Sequence, residues 1–243
     1  MKLKGEELGK LIDLNTTMIK VCGLTEVREA EYLNRLKIDF AGFVLFFPKS
    51  KRNISIEKAE EIMKHLDKNI KKTAVVVSPA KEQIIDICNS GFDYIQIHGK
   101  IEEEVLKMAQ IPVLKAFNVD DMDEFKMYSS NEKIAGYVFD AAEPGSGRTF
   151  DWDILSQIER DGKLFILAGG LNPDNVRKAV AAVNPDMVDV SSGVENDDGF
   201  GKDILKIEKF VKQIGLPVIN FHGLRHTNAT LLISQQVDVA TVS

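Results

Sequence analysis

The stretch KLFILAGGLNPDNVRKAVAAV, Lys163 to Val183, contains one complete structural unit. Lys163 to Ala168 is a short, nearly all-apolar run, the pattern of a parallel strand buried on both faces. Gly169-Gly170 ends the run. Asn172-Pro173 then supplies a cap and a first-turn proline ahead of a helix from Asp174 to Val183. The unit reads strand, glycine turn, helix, and the fold depends on how often the chain repeats it.

Seven more apolar runs bounded by turn residues lie outside this stretch: Met18 to Cys22, Ala41 to Phe47, Thr73 to Ser78, Asp93 to Ile97, Pro112 to Phe117, Ile134 to Asp140 and Met187 to Val190. Helix-like segments separate them, among them Glu26 to Leu36 (opened by Thr25-Glu26), Ser55 to Leu66, Lys81 to Asn89 and Glu102 to Ala109. A last helix is expected over Asp203 to Gln213, with Leu205, Phe210, Val211 and Ile214 as its apolar face and Gly215 as its stop. Eight strand-then-helix units predict an α/β chain folded as a closed (β/α)8 TIM barrel, for which 243 residues is an ordinary length. An open doubly wound sheet would show the same alternation. The polar residues favour the barrel: Cys22, His98, Asp140, Gly169-Gly170 and Ser191-Ser192 all fall at or just after the C-terminal ends of different strands, where barrel enzymes gather their chemistry.

The barrel is expected over residues 18–215. Residues 1–17, with Leu8, Leu11 and Ile12 at helical spacing, read as an N-terminal extension: either a short helix over the barrel bottom or, the favoured reading, sequence upstream of a natural start at Met18. Residues 216–243 have no place in an eight-fold count and read as a short appendage outside the barrel.

A net charge of -6 and a pI near 5.4 argue against a nucleic-acid footprint, which needs clustered Lys and Arg, and favour a small-molecule partner. With 44% hydrophobic residues and a mean hydropathy of -0.10, the chain has apolar surface for a core and enough polarity to stay in water. No stretch approaches the roughly 20 apolar residues of a membrane span, and residues 1–10 have no apolar signal region. Two cysteines, Cys22 and Cys88, are too few for a disulfide framework and fit a reducing compartment, so a cytoplasmic location is expected. The four histidines are His65, His98, His222 and His226, and no cluster has metal-ligand spacing; neither metal nor cofactor is expected.

Six segments together resemble the phosphoribosylanthranilate isomerase family. Lys20-Val-Cys-Gly-Leu-Thr25 resembles its K-x-C-G-[LI]-T opening, and Phe47-Pro-Lys-Ser-Lys-Arg52 its F-x-P-x-S-x-R segment. Gln96-Ile-His-Gly99 is similar to its Q-L-H-G motif, and Gly145-Ser-Gly-Arg-Thr-Phe-Asp-Trp152 to its G-[ST]-G-x-x-F-D-W loop. Leu167 to Val176 resembles the phosphate-loop segment, and Asp189-Val-Ser-Ser-Gly-Val-Glu195 closes the series in family order, over Met18 to about Ile214. Two departures concern shape: Pro144 stands where many relatives carry a glycine, and Val77-Ser-Pro79 where they tend to read Phe-Val-Asn.

The resemblance implies an Amadori rearrangement of N-(5-phosphoribosyl)anthranilate in tryptophan biosynthesis, acting on a small phosphorylated substrate, with a monomer or homodimer as the assembly. Such a reaction needs an acid to protonate the departing ring oxygen and a base to take the C2 proton. Asp140, after the apolar run of its strand, is the expected acid because partial burial favours a protonated carboxyl; the resemblance gives Cys22 the part of base. A thiol needs a positive environment for that part, which Lys20 could supply unless it fills the barrel floor. Arg52 is expected to pair with the anthranilate carboxylate. Gly169 and Gly170, with Ser192 and Gly193, are expected to hold the phosphate, and Gly147 to contact substrate. His98 is a substrate contact or a structural histidine, and the sequence leaves both open.

Phe221 to Thr230 resembles the H-x-L-R-H-T box of phage-type tyrosine recombinases, with His222 and Arg225 at its phosphate-contacting positions. That chemistry needs a downstream tyrosine nucleophile, and no tyrosine follows Tyr137. The tail is therefore read as a non-functional fragment.

Overall fold

In the computed structural model, the described residues are 17–118, 125–129, 131–140 and 151–215. The sequence expectations for residues 1–16, for Pro144 and Gly147, and for the recombinase-like tail at 216–243 lie outside them.

Nine strands are present among the described residues: β1 (Met18–Cys22), β2 (Phe40–Leu45), β3 (Asn53–Ile54), β4 (Lys71–Val77), β5 (Tyr94–His98), β6 (Val113–Asn118), β7 (Ile134–Asp140), β8 (Leu164–Leu167) and β9 (Met187–Val190). Seven α-helices lie between and after them: α1 (Val27–Leu36), α2 (Ile56–Met63), α3 (Lys81–Asn89), α4 (Glu103–Met108), α5 (Phe125–Ser129), α6 (Val176–Val183) and α7 (Ile204–Gly215). A 3-10 turn, Trp152–Gln157, stands between β7 and β8.

Eight of the strands pair in parallel around a ring, β1-β2-β4-β5-β6-β7-β8-β9, and the ring closes because β1 bonds both β2 (Lys20↔Phe40) and β9 (Lys20↔Asp189). Closure decides between the two architectures that the alternation allowed. The ninth strand, β3, was not expected. It pairs with β2 at Val44 and Leu45, beyond the point where β1's ladder on β2 ends at Gly42, and Asn53 Oδ1 accepts a bond from the Phe47 N–H at 2.7 Å. Two residues, one of them Asn, leave no apolar run to read.

Alternation along each strand separates two apolar layers. Ile19, Val21, Ala41 and Phe43 face outward and pack with Leu33 of α1, Ile62 of α2 and Ile84 of α3 in the larger core. Phe40, Leu114, Ala116, Val138, Ile166 and Met187 point inward and fill the barrel. Each fully buried aliphatic or aromatic side chain contributes about 1.5–3 kcal/mol, so the two layers dominate the stability of the fold.

Local chemistry sets the helix ends. The Glu29 carboxylate accepts from the Thr25 and Glu26 N–H groups, which would otherwise be orphaned at the start of α1. Ser55 Oγ accepts from the Lys58 N–H at 3.2 Å and opens α2, which ends at Met63, short of the expected Leu66; there Asn34 of α1 bonds the His65 carbonyl and the Asp67 N–H. Asn172 is not the cap of α6. Its Oδ1 accepts from the Asp174 and Asn175 N–H groups in a turn, and the helix starts at Val176. On α7, Ile207 and Phe210 are fully buried, whereas Leu205, expected on the same face, is 71% exposed. Leu205 lies two positions from Ile207, about 200° around the helix, which puts it on the solvent side.

Candidate active site

On β1 the outward Ile19 and Val21 enter the core, which leaves Lys20 and Cys22 pointing into the barrel. Lys20 is fully buried; its ammonium donates to Asp189 Oδ2 at 2.7 Å and to Gln96 Oε1 at 2.9 Å. Burial alone would pull the lysine down, but Asp189 outweighs it and the group stays charged. One layer higher, Cys22 sits opposite Gly42, where an added Cβ would come within 2.8 Å of the thiol sulfur; the glycine makes room for it. Burial pushes the Cys22 thiol above its ordinary value, and the pull of Lys20 and Lys202 does not reverse this. The positive environment expected around the thiol is there in Lys20 and Lys202, but burial outweighs it and Asp189 adds to the opposition.

Asp140 ends β7, 8% exposed, beside Asn118 of β6. His98 ends β5, where its Nε2 lies 2.9 Å from the Gln96 amide nitrogen. Burial, with the charges of Lys20 and Lys115, lowers His98 from the usual 6.5 to about 4.

Arg52 lies on the loop just before β3. Its side chain packs on Gly23, which takes a φ of +81°; the Arg52 Cδ would stand 2.5 Å from a Cβ placed there. The Arg52 Nε donates to Glu195 Oε1, and Glu195 also pairs with Lys51 at 2.9 Å and with Lys202 at 3.4 Å. Burial opposes the charge on Glu195, yet the hydrogen bonds from Arg52 and Lys51 and the charge of Lys202 win and hold it at about 2. Neither Nη of Arg52 bonds protein among the described residues, so the outer edge of the guanidinium is available to a planar anion.

Past β8, Gly169 and Gly170 both take positive φ, +80° and +64°, a pair of conformations that side chains resist. Asn175 holds the loop by donating to the Gly170 carbonyl at 2.9 Å. Past β9, Ser192 and Gly193 begin a 3-10 turn, Ser192–Val194. There Gly193 lies so near the first loop that a Cβ would meet the Leu171 carbonyl oxygen at 2.0 Å.

Cys22, Arg52, His98, Asp140, Gly169, Gly170 and Ser192 line one cavity of about 920 Å³ at the C-terminal mouth of the barrel, and Gly193 packs behind it. Gln96, Lys115, Asn118 and Asp189 line it too, and the sequence reading gave none of them a part. Among the described residues, no group of three His, Cys, Asp or Glu side chains could hold a metal.

The profile of the N-(5'phosphoribosyl)anthranilate (PRA) isomerase family matches residues 19–213. This chain belongs to that family. It is 38% identical over 201 residues to the N-(5'-phosphoribosyl)anthranilate isomerase of Aquifex aeolicus, a match that covers 80% of this chain and 97% of the relative. It is 40% identical over 199 residues to the one of Clostridium kluyveri, covering 81% and 96%. The solved phosphoribosylanthranilate isomerase of Thermotoga maritima superposes with a TM-score of 0.73 at 36% identity, over 82% of this chain and all (100%) of the other. Another solved phosphoribosylanthranilate isomerase, 34% identical with a TM-score of 0.71, holds reduced 1-(o-carboxyphenylamino)-1-deoxyribulose 5-phosphate. Orotidine 5'-phosphate decarboxylase of Pyrococcus horikoshii, at 13% identity and a TM-score of 0.57, shares the fold alone.

For a phosphoribosylanthranilate isomerase the two glycine loops carry a direct test. Gly193→Ala is expected to force the loops apart at a cost of about 3 kcal/mol, the upper end of overpacking penalties, and to raise KM more than it lowers kcat. Thermal melts and steady-state kinetics check this; an alanine variant with unchanged melting and KM would show that the loops do not depend on this contact.

Proposed function

We propose that the chain converts N-(5-phosphoribosyl)anthranilate to 1-(2-carboxyphenylamino)-1-deoxyribulose 5-phosphate, the isomerisation of tryptophan biosynthesis, in the cavity at the barrel mouth. The observation that carries this reading is the convergence on one cavity of a thiol, a carboxyl group, an arginine with a bare outer edge and two glycine-rich loops, within a chain of this family.

Asp140 donates a proton to the departing ring oxygen, and the opened sugar carries a C1=N iminium. Cys22 removes the C2 proton, giving the enolamine, which gains a proton at C1 as C2 becomes the ketone. Hydrogen is redistributed within one substrate, so no external oxidant or cofactor enters. Arg52, fixed through its Nε by Glu195, pairs with the anthranilate carboxylate. The phosphate lies against Gly169, Gly170, Ser192 and Gly193; the N–H groups of both loop glycines, Gly169 and Gly170, make no hydrogen bond to the described residues, which supports an anion site there. His98 contacts substrate from the opposite wall, and Gly147 belongs to the same reading. Residues 18–215 form the catalytic domain, the assembly is a monomer or homodimer, and the location is cytoplasmic. Both cysteines are free thiols, which suits a reducing compartment.

Purified protein given freshly made phosphoribosylanthranilate should consume it, read as loss of anthranilate-type fluorescence. A chain ending at Gly215 should do so at the same rate if the tail is a bystander. No consumption by either form would overturn the assignment.

A further inference from the structure

We infer that Gln96 locks His98 into a single ring tautomer, with the proton on Nδ1, and so makes it a donor-only contact for a substrate oxygen. The donor part rests on the function proposed above; the tautomer does not.

The donors along one buried line decide the tautomer. Lys20 Nζ has only protons to offer, and it lies 2.9 Å from Gln96 Oε1. That contact orients the amide. Were it turned over, its NH2 would face the ammonium, donor against donor, and a fully buried lysine would lose a partner. With the oxygen on Lys20, the amide nitrogen faces His98 Nε2 at 2.9 Å. An amide nitrogen only donates, so Nε2 must accept with its lone pair and the ring proton sits on Nδ1. A protonated imidazolium would oppose N–H to N–H at that contact, which agrees with the lowering of His98 to about 4 by burial and the Lys20 and Lys115 charges.

The consequence is chemical. His98 lines the cavity, and its Nδ1–H makes no hydrogen bond to the described residues. With Nε2 occupied and the ring neutral, His98 is neither base nor acid at neutral pH; it offers one proton to a hydrogen bond. Its partner is an oxygen of the substrate, on the sugar or the carboxylate. Gln96 is the positioning residue, and Asp189 sets the register through Lys20, Gln96 and His98 in turn.

The test is 15N NMR of the histidine rings in the full chain at neutral pH, with His98 assigned by the signal lost in His98→Asn. The wild type should show a protonated Nδ1 and a bare Nε2. Gln96→Glu, whose carboxylate accepts from Lys20 and His98 alike, should move the proton to Nε2 and raise the His98 pKa. Gln96→Leu should give a mixture of tautomers. A wild-type proton on Nε2, or a folded Gln96→Glu or Gln96→Leu protein that keeps the pure Nδ1–H form, would overturn the lock. Kinetics separates the donor part: an asparagine at 98 places its amide N–H where Nδ1–H was, a glutamine where Nε2 was. His98→Asn should keep KM near the wild type and His98→Gln should raise it about tenfold, the loss of one hydrogen bond; equal KM values in the two variants would remove the donor role while leaving the tautomer result standing.

Discussion

Asp140→Asn is expected to lower kcat by about a hundred- to ten-thousandfold, the usual worth of a positioned general acid. The replacement keeps the size and planarity of the side chain and removes its acidic proton. Asp140 stands at the cavity wall at the end of β7, 8% exposed. Ring opening leaves an oxygen that must be protonated as it departs, so the loss should fall on the chemical step, with melting temperature and substrate affinity little changed. Fluorescence-monitored turnover reads it. An asparagine variant with full activity would take the acid role away from Asp140.

Cys22→Ser should show a loss of similar size, again about a hundred- to ten-thousandfold in kcat, with KM within about threefold because the proton transfer belongs to the transition state. The serine fits the space left by Gly42 and is a far weaker acid. Cys22 also predicts a pH profile. Burial holds the thiol above its ordinary value, so at neutral pH the thiolate is the minor form; a base that acts as thiolate gains population as pH rises. The acid must keep its proton while the thiol gives its up, so wild-type kcat/KM should be bell-shaped in pH, and Cys22→Ser should change the shape of that profile. A serine variant with the wild-type pH profile, or one changed only in KM, would make Cys22 a binding residue.

What could be read in advance followed what is local. Eight strands were legible because burial on both faces leaves short apolar runs, and β1, β7 and β9 were found to the residue. The two-residue β3 has no such run; pairing with β2 alone makes it a strand. Leu205 was placed on the wrong face because a short run offers several apolar residues and only contact with the barrel selects Ile207 and Phe210. Asn172 was read as a helix cap because Asn-Pro serves both helix starts and turns, and its bonds to Asp174 and Asn175 decide for the turn. Glu195 was visible only as the end of a motif. Its hold on Arg52 spans 143 positions, and no local pattern announces it.

The sequence by itself determined the β-then-α order, the positions of the cysteine, the aspartate, the arginine and the glycine loops at strand ends, and through its motifs the family. These are properties of neighbours along the chain, fixed by side-chain period and turn chemistry. Only the tertiary structure decided that Asp189, 169 positions away, would quench Lys20, that Gln96 would link that pair to His98, and that burial would keep the thiol protonated. Electrostatic environment is a sum over groups brought together by barrel closure, and closure places far-apart positions of the chain within a hydrogen bond of each other.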